Sequence, residues 1–551
     1  MEIHLLLDPE SPWRKTGHDL TRGDLWDGNC FLRDEQITPM FKGIHTLDDA
    51  ARLCSELTGR FGWMRIQPGK IWLAADHLRS QPIFYAMDRQ RIWISDIPDR
   101  ILQVSTDTEI DPSLAAEYLV LGYVTGPDTL FRGLHQVEPG TIVEIAEDTE
   151  GEPPRRSVRR YWDFIHTYRD APREHFTRHL DDVVLQTVQR AIRYADGRPI
   201  VLPLSGGYDS RLLAMTLARL EYSDVHCYSY GQKGNAEMEV GRHIASDLGF
   251  RWTGIHYTAS KWRKRFHSAD RKAYYRLAGR EAGVPNIQEL VAIAELKEQG
   301  LVPDNGVIMS GHFGGALVGG RGIYDSHTYR DRPQTDAETI LRHVYHYHHN
   351  LWDWSGWRNR LEPFFRQRIL DGLPELARFP DSPSACESWN IRQRQARFIV
   401  PIRHLYTYYG YDAWMPYCDQ DYIRFWMTVP LAFRHDKSLY TDYIDRQAPF
   451  RIATHQPEKP ILAIREAVRK TLLFRPAQSF YTSWVQGRRK RREYDRHPMA
   501  WYGIMERGDF HAHFTGRENI NSFQSLELLR TLYENGYLSP EMIFKRFAGN
   551  Q

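Results

Sequence analysis

The sequence predicts a multidomain α/β protein in which a β-rich first part is followed by a parallel sheet flanked by helices. Up to about residue 163, short apolar segments are separated by turns of Gly, Pro and Asp. From about residue 174, helices alternate with short apolar strands, which is the pattern of a parallel sheet. The 551 residues are too many for one compact core. We therefore expect two domains, at residues 1–165 and 174–551, the second ending in a helical extension.

Four apolar segments predict strands of the first domain, and they are Ile3–Leu7, Ile71–Ala75, Ile92–Ile94 and Thr141–Ile145. An amphipathic helix is expected at Thr46–Thr58, where Leu47, Ala50 and Cys54 fall on one side. Residues Glu147–Val158 are first acidic and then basic and include two adjacent prolines. An exposed loop between the domains is expected there.

In the second domain, helices and strands are expected to alternate along the chain. The predicted elements are helix His175–Ala195, a strand ending at Leu204, a helix after the glycine turn, strand Val225–Tyr230, helix Ala236–Leu248, strand Trp252–Tyr257, helix Asn286–Glu298 and strand Val307–Met309. In such a sheet, ligands bind at the carboxyl ends of the strands. The segments to consider for a ligand are therefore Ser205–Asp209, Tyr230–Asn235 and Ser310–Gly315.

Composition argues against several classes of function. The net charge is only +2, which argues against nucleic-acid binding and a membrane-surface role, and the basic run Gly487–Arg492 is interpreted as a solvated helix face. No apolar run approaches the roughly 18–20 residues that span a bilayer. The N-terminal MEIHLLL predicts a strand and not a signal peptide. The five scattered cysteines predict reduced thiols in a cytoplasmic protein.

The glycine turn at Ser205-Gly206-Gly207 is the most specific local feature. It joins an apolar run to an amphipathic helix, and a helix N-terminus behind a glycine turn suits an anion such as phosphate. Asp209, in the first helical turn, could hold a magnesium ion that bridges phosphates. No lysine follows the glycines, which excludes a Walker-type loop. Taken alone, the turn is equally well explained as a structural corner without a ligand.

Several ordered blocks resemble the asparagine synthetase family. SGGYDS at Ser205–Ser210 resembles the family's SGGxDS phosphate loop, and Tyr228–Gly249 is similar to the next strand and helix. IMSGHFGGALVGG at Ile308–Gly320 resembles the second pyrophosphate loop, SGxGxDxxxGG. Trp414–Pro430 is similar to the late VPFLD segment, and Ala74–Asp96 to a block of the N-terminal glutaminase-like domain.

This resemblance implies a fold and a reaction. The fold is an Ntn-hydrolase-like, glutaminase-like β-rich domain followed by an ATP-pyrophosphatase domain of the adenine nucleotide α-hydrolase-like kind. The reaction uses ATP and Mg²⁺: a carboxylate becomes an acyl-adenylate, pyrophosphate leaves, and an amine then displaces AMP. Asp209 is implied to hold the metal. The residues implied to bind ATP and pyrophosphate are Leu204, Ser205, Gly206, Gly207, Asp209, Ser210, Tyr230, Gly231, Ser310, Gly311 and Gly314.

The chain departs from the family at two places that bear on activity. Glutamine-hydrolysing members have a cysteine as the first mature residue, whereas this sequence begins Met1-Glu2-Ile3 and its nearest cysteine is Cys30. No glutaminase reaction is expected, as in the β-lactam synthetases and lasso-peptide cyclases. In the second loop, the family's magnesium-binding Asp falls at Gly315, and its second glycine falls at Phe313, which leaves the backbone path open.

For several residues the sequence leaves more than one role open. Either Glu237 or Glu239 supplies the second metal carboxylate beside Asp209, or the metal site has decayed. His312 is either a general base near the acyl-adenylate or a loop histidine that only forms hydrogen bonds. Asp419 either helps to close the site or caps a helix. The family's late lysine is not assigned: Lys437 resembles instead the K-Y-L start of the preceding helix, and Lys459 and Lys470 are stand-ins without a clear motif.

We expect an ATP-dependent carboxylate–amine ligase that uses free ammonia or an amine of its own substrate. Family members associated with surface polysaccharides look most similar in the second loop. The product stays open between a macrolactam, a β-lactam and an amidated sugar acid. The alternative of another class is a catalytically degenerate nucleotide-binding or scaffold protein. The expected partner is a small-molecule or peptide carboxylate; a homodimer stays open, and neither nucleic-acid binding nor membrane insertion is expected.

Overall fold

The computed structural model of the chain describes residues 2–105, 107–147, 153–319, 335–447, 493–534 and 536–549. The strands are β1 Glu2–Leu5, β2 Arg14–Thr16, β3 Asp19–Asp27, β4 Cys30–Phe31, β5 Gly59–Gln67, β6 Lys70–Ala75, β7 Phe84–Met87, β8 Arg91–Ser95, β9 Leu134–Gln136, β10 Thr141–Ala146, β11 Arg155–Arg160, β12 Ile200–Pro203, β13 Val225–Gly231, β14 Arg251–His256, β15 Val307–Met309 and β16 Asp412–Trp414.

The helices lie mostly in the second part of the chain. They are α1 Asp34–Met40, α2 Leu47–Glu56, α3 Pro98–Leu102, α4 Pro112–Leu121, α5 Arg173–Ala195, α6 Tyr208–Arg219, α7 Ala236–Asp247, α8 Ala259–Phe266, α9 Ala269–Leu277, α10 Leu290–Glu298, α11 Gly314–Leu317, α12 Ala337–Tyr347, α13 Arg358–Asp371, α14 Ser382–Trp389, α15 Arg403–Tyr408, α16 Gln420–Thr428, α17 Leu431–Arg434, α18 Ser438–Gln447, α19 Arg507–His513, α20 Ile520–Leu532 and α21 Pro540–Gly549. A π-helix, Asn390–Ile399, continues α14.

Two sheets form a β-sandwich in the first part of the chain. One has the order β1-β8-β7-β9, and the other, which is antiparallel, has the order β11-β10-β6-β5-β3-β2 with β4 on β3. Alternate residues of β5 and β6 face opposite sides, as the pleat requires. Met64 and Leu73 pack between the sheets, whereas Trp63 and Trp72 pack against Cys54 of α2 on the outer face. The β-rich first part predicted from the sequence is confirmed.

The predicted loop Glu147–Val158 is wrong in its second half, because the chain forms β11 from Arg155 onward. This strand pairs antiparallel with β10, with Val158 opposite Val143. This strand lies at the edge of the sheet, and its side chains are largely exposed. Its sequence is therefore polar and basic although its backbone is paired. Residues 148–152 lie outside the described residues.

The second part contains a parallel sheet of order β14-β13-β12-β15-β16. The predicted strands and helices between residues 175 and 309 are confirmed, except that α10 begins at Leu290 and not at Asn286. The Asn286 side chain accepts a hydrogen bond from the Gln288 N–H at 2.9 Å, and this turn holds residues 286–289 outside the helix. In the sheet, β12 lies between β13 and β15. The strands that follow β12 are therefore added first on one side of it and then on the other, so the strand order reverses at β12. A crevice forms at the carboxyl end of such a reversal.

Apolar side chains cover both faces of this sheet. On one face Leu202 of β12 packs with Leu213 of α6 and with α16 and α18. On the other face Val201 packs with Leu290 of α10 and with α8 and α15. This double covering is why the strands are apolar along their whole length. Within the described ranges no helix has the length and apolar content needed to cross a membrane.

Candidate active site at the carboxyl edge of the parallel sheet

A cavity of about 1420 Å³ lies at the carboxyl ends of β12, β13 and β15. The three segments expected to face a ligand all reach it. Of the predicted residues, those that line it are Leu204, Ser205, Gly207, Asp209, Ser210, Tyr230, Glu237, Gly311 and His312. Gly206, Gly231, Ser310 and Gly314 lie in the same segments but do not line it. Residues far apart in the sequence therefore meet around one cavity.

The first loop, Ser205–Ser210, is held by its own serines. The Ser205 N–H donates to Ser210 Oγ at 3.1 Å, and the Gly207 N–H donates to Ser205 Oγ at 3.2 Å. Gly207 is the N-cap residue of α6 and has no side chain with which to cap the first turn of this helix. A helix N-terminus whose N–H groups lack a cap is suited to binding an anion.

The second loop, Ser310–Gly315, packs directly on the first. A Cβ at Gly311 would lie 3.2 Å from the Ser210 nitrogen, and one at Gly314 would lie 2.8 Å from the Tyr417 ring. Phe313 has a φ of +79°, in the left-handed region that glycine favours. The backbone path left open by the sequence is thus a left-handed one, held although it costs about 1–3 kcal/mol. The Phe313 ring is buried against Leu317 and its neighbours, which offsets that cost.

Asp209 lies where the two loops meet. Its Oδ1 accepts a hydrogen bond from the Tyr440 hydroxyl at 2.7 Å, and its main-chain oxygen accepts one from the Tyr417 hydroxyl at 2.7 Å. The Gly315 N–H also donates to the carboxylate. Burial raises the pKa of Asp209, whereas the Tyr440 hydroxyl, the Lys437 charge and the Gly315 N–H oppose that rise.

The donor set around Asp209 does not fit a magnesium ion held between two protein carboxylates. The residue beside it is Gly315, whose missing Cβ would lie 3.3 Å from Asp209 Oδ2. Glu237 is exposed, and its charge acts on Tyr230. Among the residues described, no cluster of three or more His, Cys, Asp or Glu side chains is arranged for a metal. The charged side chain that acts on Asp209 is a cation, Lys437.

A second pair of titratable groups faces the cavity. His312 Nδ1 and Ser310 Oγ share a hydrogen bond, and His312 Nε2 lies 3.9 Å from Glu289 Oε1. Glu289 is 1% exposed and accepts hydrogen bonds from the hydroxyls of Tyr228 and Tyr406. Burial lowers the pKa of His312 to about 4 and raises that of Glu289 to about 7. At neutral pH the His312 ring is therefore uncharged and has a nitrogen that can accept a proton.

Sequence reasoning missed Glu289 and Lys437 as lining residues. Glu289 stands in no motif, and Lys437 resembled only the start of a helix. Among the residues that the structure describes, four cations line the cavity, namely Lys233, Arg394, Lys437 and Arg496, against the carboxylates of Asp209, Glu237 and Glu289. This excess of positive charge suits an anionic ligand such as a nucleoside triphosphate.

Asp419 does not line the cavity, so its interpretation as a residue that closes the site is wrong. It is the N-cap residue of α16, but its side chain makes no cap hydrogen bond and instead pairs with the buried Arg190. Lys459, Lys470 and the basic run Gly487–Arg492 lie outside the described residues.

The family model "Asparagine synthase" matches residues 179–472, more than half of the chain, and the model "Glutamine amidotransferase domain" matches residues 51–162. No curated protein matches the chain.

Solved structures with some similarity have low TM-scores. Glutamine phosphoribosylpyrophosphate amidotransferase from B. subtilis, complexed with ADP and GMP, is 12% identical over 46% of this chain and 73% of that one, with a TM-score of 0.20. The NH3-dependent NAD synthetase from Campylobacter jejuni is 15% identical over 41% and 94%, with a TM-score of 0.19. The allosteric regulatory enzyme of purine biosynthesis is 13% identical over 45% and 62%, with a TM-score of 0.18.

The family matches and the fold agree in order along the chain. The amidotransferase match covers strands β5 to β11 of the sandwich, and the longer match begins in α5 and covers the whole parallel sheet. The chain belongs to the asparagine synthase family.

Proposed function

We propose that this chain is an ATP-dependent ligase that forms an amide by activating a carboxylate as an acyl-adenylate. Membership of the asparagine synthase family supports an ATP-dependent ligase of the amidation type. The observation that carries the proposal is the meeting of the uncapped α6 N-terminus, the Ser310–Gly315 loop and four cations around one cavity. That arrangement suits a triphosphate at one end and leaves room for an acyl substrate at the other.

The two loops bind different parts of ATP. Ser205, Gly207 and Ser210 hold the phosphates through N–H and hydroxyl groups, which the Ser205–Ser210 hydrogen bonds keep in place. The second loop, at Gly311 and His312, holds the pyrophosphate end. The substrate carboxylate attacks the α-phosphorus, the bond to the β-phosphate oxygen breaks, and pyrophosphate leaves. Donors fixed in advance stabilise the charge that develops on the leaving group.

The second half-reaction needs a proton acceptor for the incoming amine. His312 is neutral at physiological pH because burial lowers its pKa to about 4. The ring is oriented by Ser310 through Nδ1, and Glu289 lies 3.9 Å from Nε2. The nitrogen attacks the acyl carbon, AMP leaves, and the proton of the amine passes to the His312–Glu289 pair. The proposed amine is ammonia or an amine of the substrate.

The test is exchange of labelled pyrophosphate into ATP, measured with the full chain over a panel of amino acids, peptides and sugar acids. We expect exchange with one class of carboxylate. Asp209→Asn should lower it at least tenfold, because the carboxylate holds the two loops together by accepting hydrogen bonds from Tyr440 and from the Gly315 N–H, and an amide offers a single acceptor atom. Asp247→Asn, an exposed change at the far end of α7, is the matched control and should exchange as the wild type does.

Two outcomes count against the proposal. Binding of ATP without exchange for any carboxylate would favour the nucleotide-binding scaffold, an alternative for which the glycine at position 315 is the motivating observation. Equal rates of exchange in Asp209→Asn and Asp247→Asn would show that the cavity takes no part in the reaction.

A further inference from the structure

Lys437 occupies a strained position beside the two loops. It lies between α17 and α18, and both Lys437 and the preceding Asp436 have left-handed backbones, with φ of +59° and +51°. Such conformations are unfavourable in residues other than glycine. The Lys437 side chain lines the cavity. Strain of this kind is concentrated at binding sites.

The Lys437 ammonium has no protein partner of its own in the described part of the chain. The hydrogen bond recorded at this residue is accepted by its main-chain oxygen, from Thr441. The side chain is half-buried, and its charge acts on Asp209 without forming an ion pair within 4.0 Å. A half-buried ammonium without a direct partner leaves its three donors for a ligand.

Gly315 leaves open the space between Lys437 and Asp209. A Cβ at Gly315 would lie 3.3 Å from Asp209 Oδ2 and 4.0 Å from Lys437 Nζ. The backbone of Gly315 is not left-handed, and both neighbours are side-chain ends, so the fold itself does not demand glycine there. A carboxylate at this position would point between the Asp209 oxygens and the ammonium. It would pair with Lys437 and repel a phosphate.

We infer that Lys437 provides the positive charge for the pyrophosphate end of the ATP site, in the place that a metal between two protein carboxylates would take. The inference rests on the proposed function, because it assigns a residue to the phosphate end of the same site. Asp209 has a hydroxyl and an N–H as partners, and the second carboxylate is replaced by Gly315. A lysine binds phosphate as a point charge and requires no such carboxylate. Pyrophosphate binding by this chain then depends on Lys437 and not on magnesium.

The experiment is titration calorimetry of inorganic pyrophosphate into the full chain, once with EDTA and once with Mg²⁺. Wild type should bind with affinities that agree within about threefold in the two buffers. Lys437→Ala should weaken binding in EDTA at least tenfold, which is about 1.4 kcal/mol. Lys272→Ala, an exposed lysine of α9, is the matched control and should bind as wild type.

A second variant keeps the test decisive if Lys437→Ala does not fold. Gly315→Asp should weaken pyrophosphate binding in EDTA at least tenfold, and the double variant Gly315→Asp with Lys437→Ala should bind only when Mg²⁺ is present. Circular dichroism melts establish which variants are folded. The inference is overturned if Lys437→Ala and Gly315→Asp bind like wild type, or if wild type binds pyrophosphate only with Mg²⁺ or not at all.

The same measurements separate this inference from the proposed function. Binding of pyrophosphate requires no carboxylate substrate, so it can depend on Lys437 even if no exchange reaction is found. Conversely, exchange that persists in Lys437→Ala at the wild-type rate contradicts the inference and leaves the ligase proposal intact.

Discussion

Burial sets the protonation of the Glu289–His312 pair. Each group loses solvation of its charged form, so the pKa of Glu289 rises to about 7 and that of His312 falls to about 4. The tyrosine hydroxyls around Glu289 oppose the rise without cancelling it. Both side chains are therefore neutral in mild acid, and Glu289 becomes a carboxylate only as the pH rises through about 7.

Glu289→Gln should remove a pH dependence from the stability of the protein. The folded-state pKa of about 7 exceeds the ordinary value of 4.5, so the folded chain binds this proton more tightly. The stability that results is lost as the pH rises through that window. A rise of this size corresponds to about 3 kcal/mol. Between pH 5 and 8 the variant should therefore gain stability relative to wild type, measured as the difference in melting temperature at each pH.

Glu237→Gln is the control for this change, because Glu237 lines the same cavity but is exposed. Its melting temperature should follow that of wild type with a constant offset. Parallel curves for Glu289→Gln and wild type would show that Glu289 does not hold a proton in the folded state.

The residues that the sequence could predict are contiguous, and those that it could not are brought in by packing. Ser205–Ser210 is recognisable because an apolar run, a glycine turn and a helix adjoin along the chain. Glu289 and Lys437 reach the cavity from the ends of other elements, and no local pattern marks either. His312 could be predicted as a site residue, but its low pKa depends on burial, which only the fold supplies.

Close contact between α7 and β12 holds the first loop in place. A Cβ at Gly241 of α7 would lie 2.6 Å from the carbonyl oxygen of Leu204 and 2.6 Å from Ser229 Oγ. Leu204 immediately precedes the serine that opens the loop. The absence of a side chain at Gly241 therefore lets the helix approach the strand end where the phosphates are proposed to bind.

Gly241→Ala should destabilise the chain by about 1–3 kcal/mol, because overpacking forces α7 away from the sheet. Since Leu204 would move with it, ATP binding should weaken as well, which melting and calorimetry measure together. Gly508→Ala in α19 is the matched change, as nothing lies within 4 Å of the added Cβ. It should leave ATP binding unchanged and stabilise the helix by about 0.5–1 kcal/mol. Equal effects of the two changes would contradict the argument from close contact.

The order of elements could be predicted, but the order of strands in the sheet could not. Hydrophobic periodicity locates β12, β13, β14 and β15 along the chain. That β15 lies beside β12, and so brings the Ser310 loop to the Ser205 loop, depends on the path of the chain over the sheet. The start of α10 was missed for a local reason, the turn at Asn286, and β11 because an exposed edge strand carries no apolar pattern.

Two arginines join the β-sandwich to the parallel sheet. The Arg60 guanidinium of β5 donates to the Ala413 carbonyl at 2.7 Å and lies 4.1 Å from the Trp414 ring centroid, so it reaches the edge strand β16. Arg190 of α5 is fully buried and donates to the Gly28 carbonyl at 2.6 Å. A buried guanidinium such as that of Arg190 lies in a region of low dielectric, where a charge without its partner is strongly destabilising.

Arg190→Met should be among the most destabilising single changes at this junction. It leaves the buried Asp419 carboxylate without its main partner, and breaking a buried pair from one side costs about 3–5 kcal/mol. Burial already raises the pKa of Asp419 to about 7, with Arg190 opposing, so without Arg190 the pKa should rise further. A raised folded-state pKa means stability that is lost as the pH rises through it. The loss on replacing Arg190 should therefore be larger at pH 8 than at pH 5, measured by thermal melts.

Two further variants decide whether the unpaired carboxylate is the cause. Adding Asp419→Asn to Arg190→Met removes the buried charge, so it should recover part of the loss at pH 8 and little at pH 5. Arg219→Met breaks the more exposed pair with Asp181 and should cost under about 1 kcal/mol. If the double variant recovers nothing at pH 8, the junction depends on the shape and hydrogen bonds of Arg190, including that to Gly28, and not on its charge.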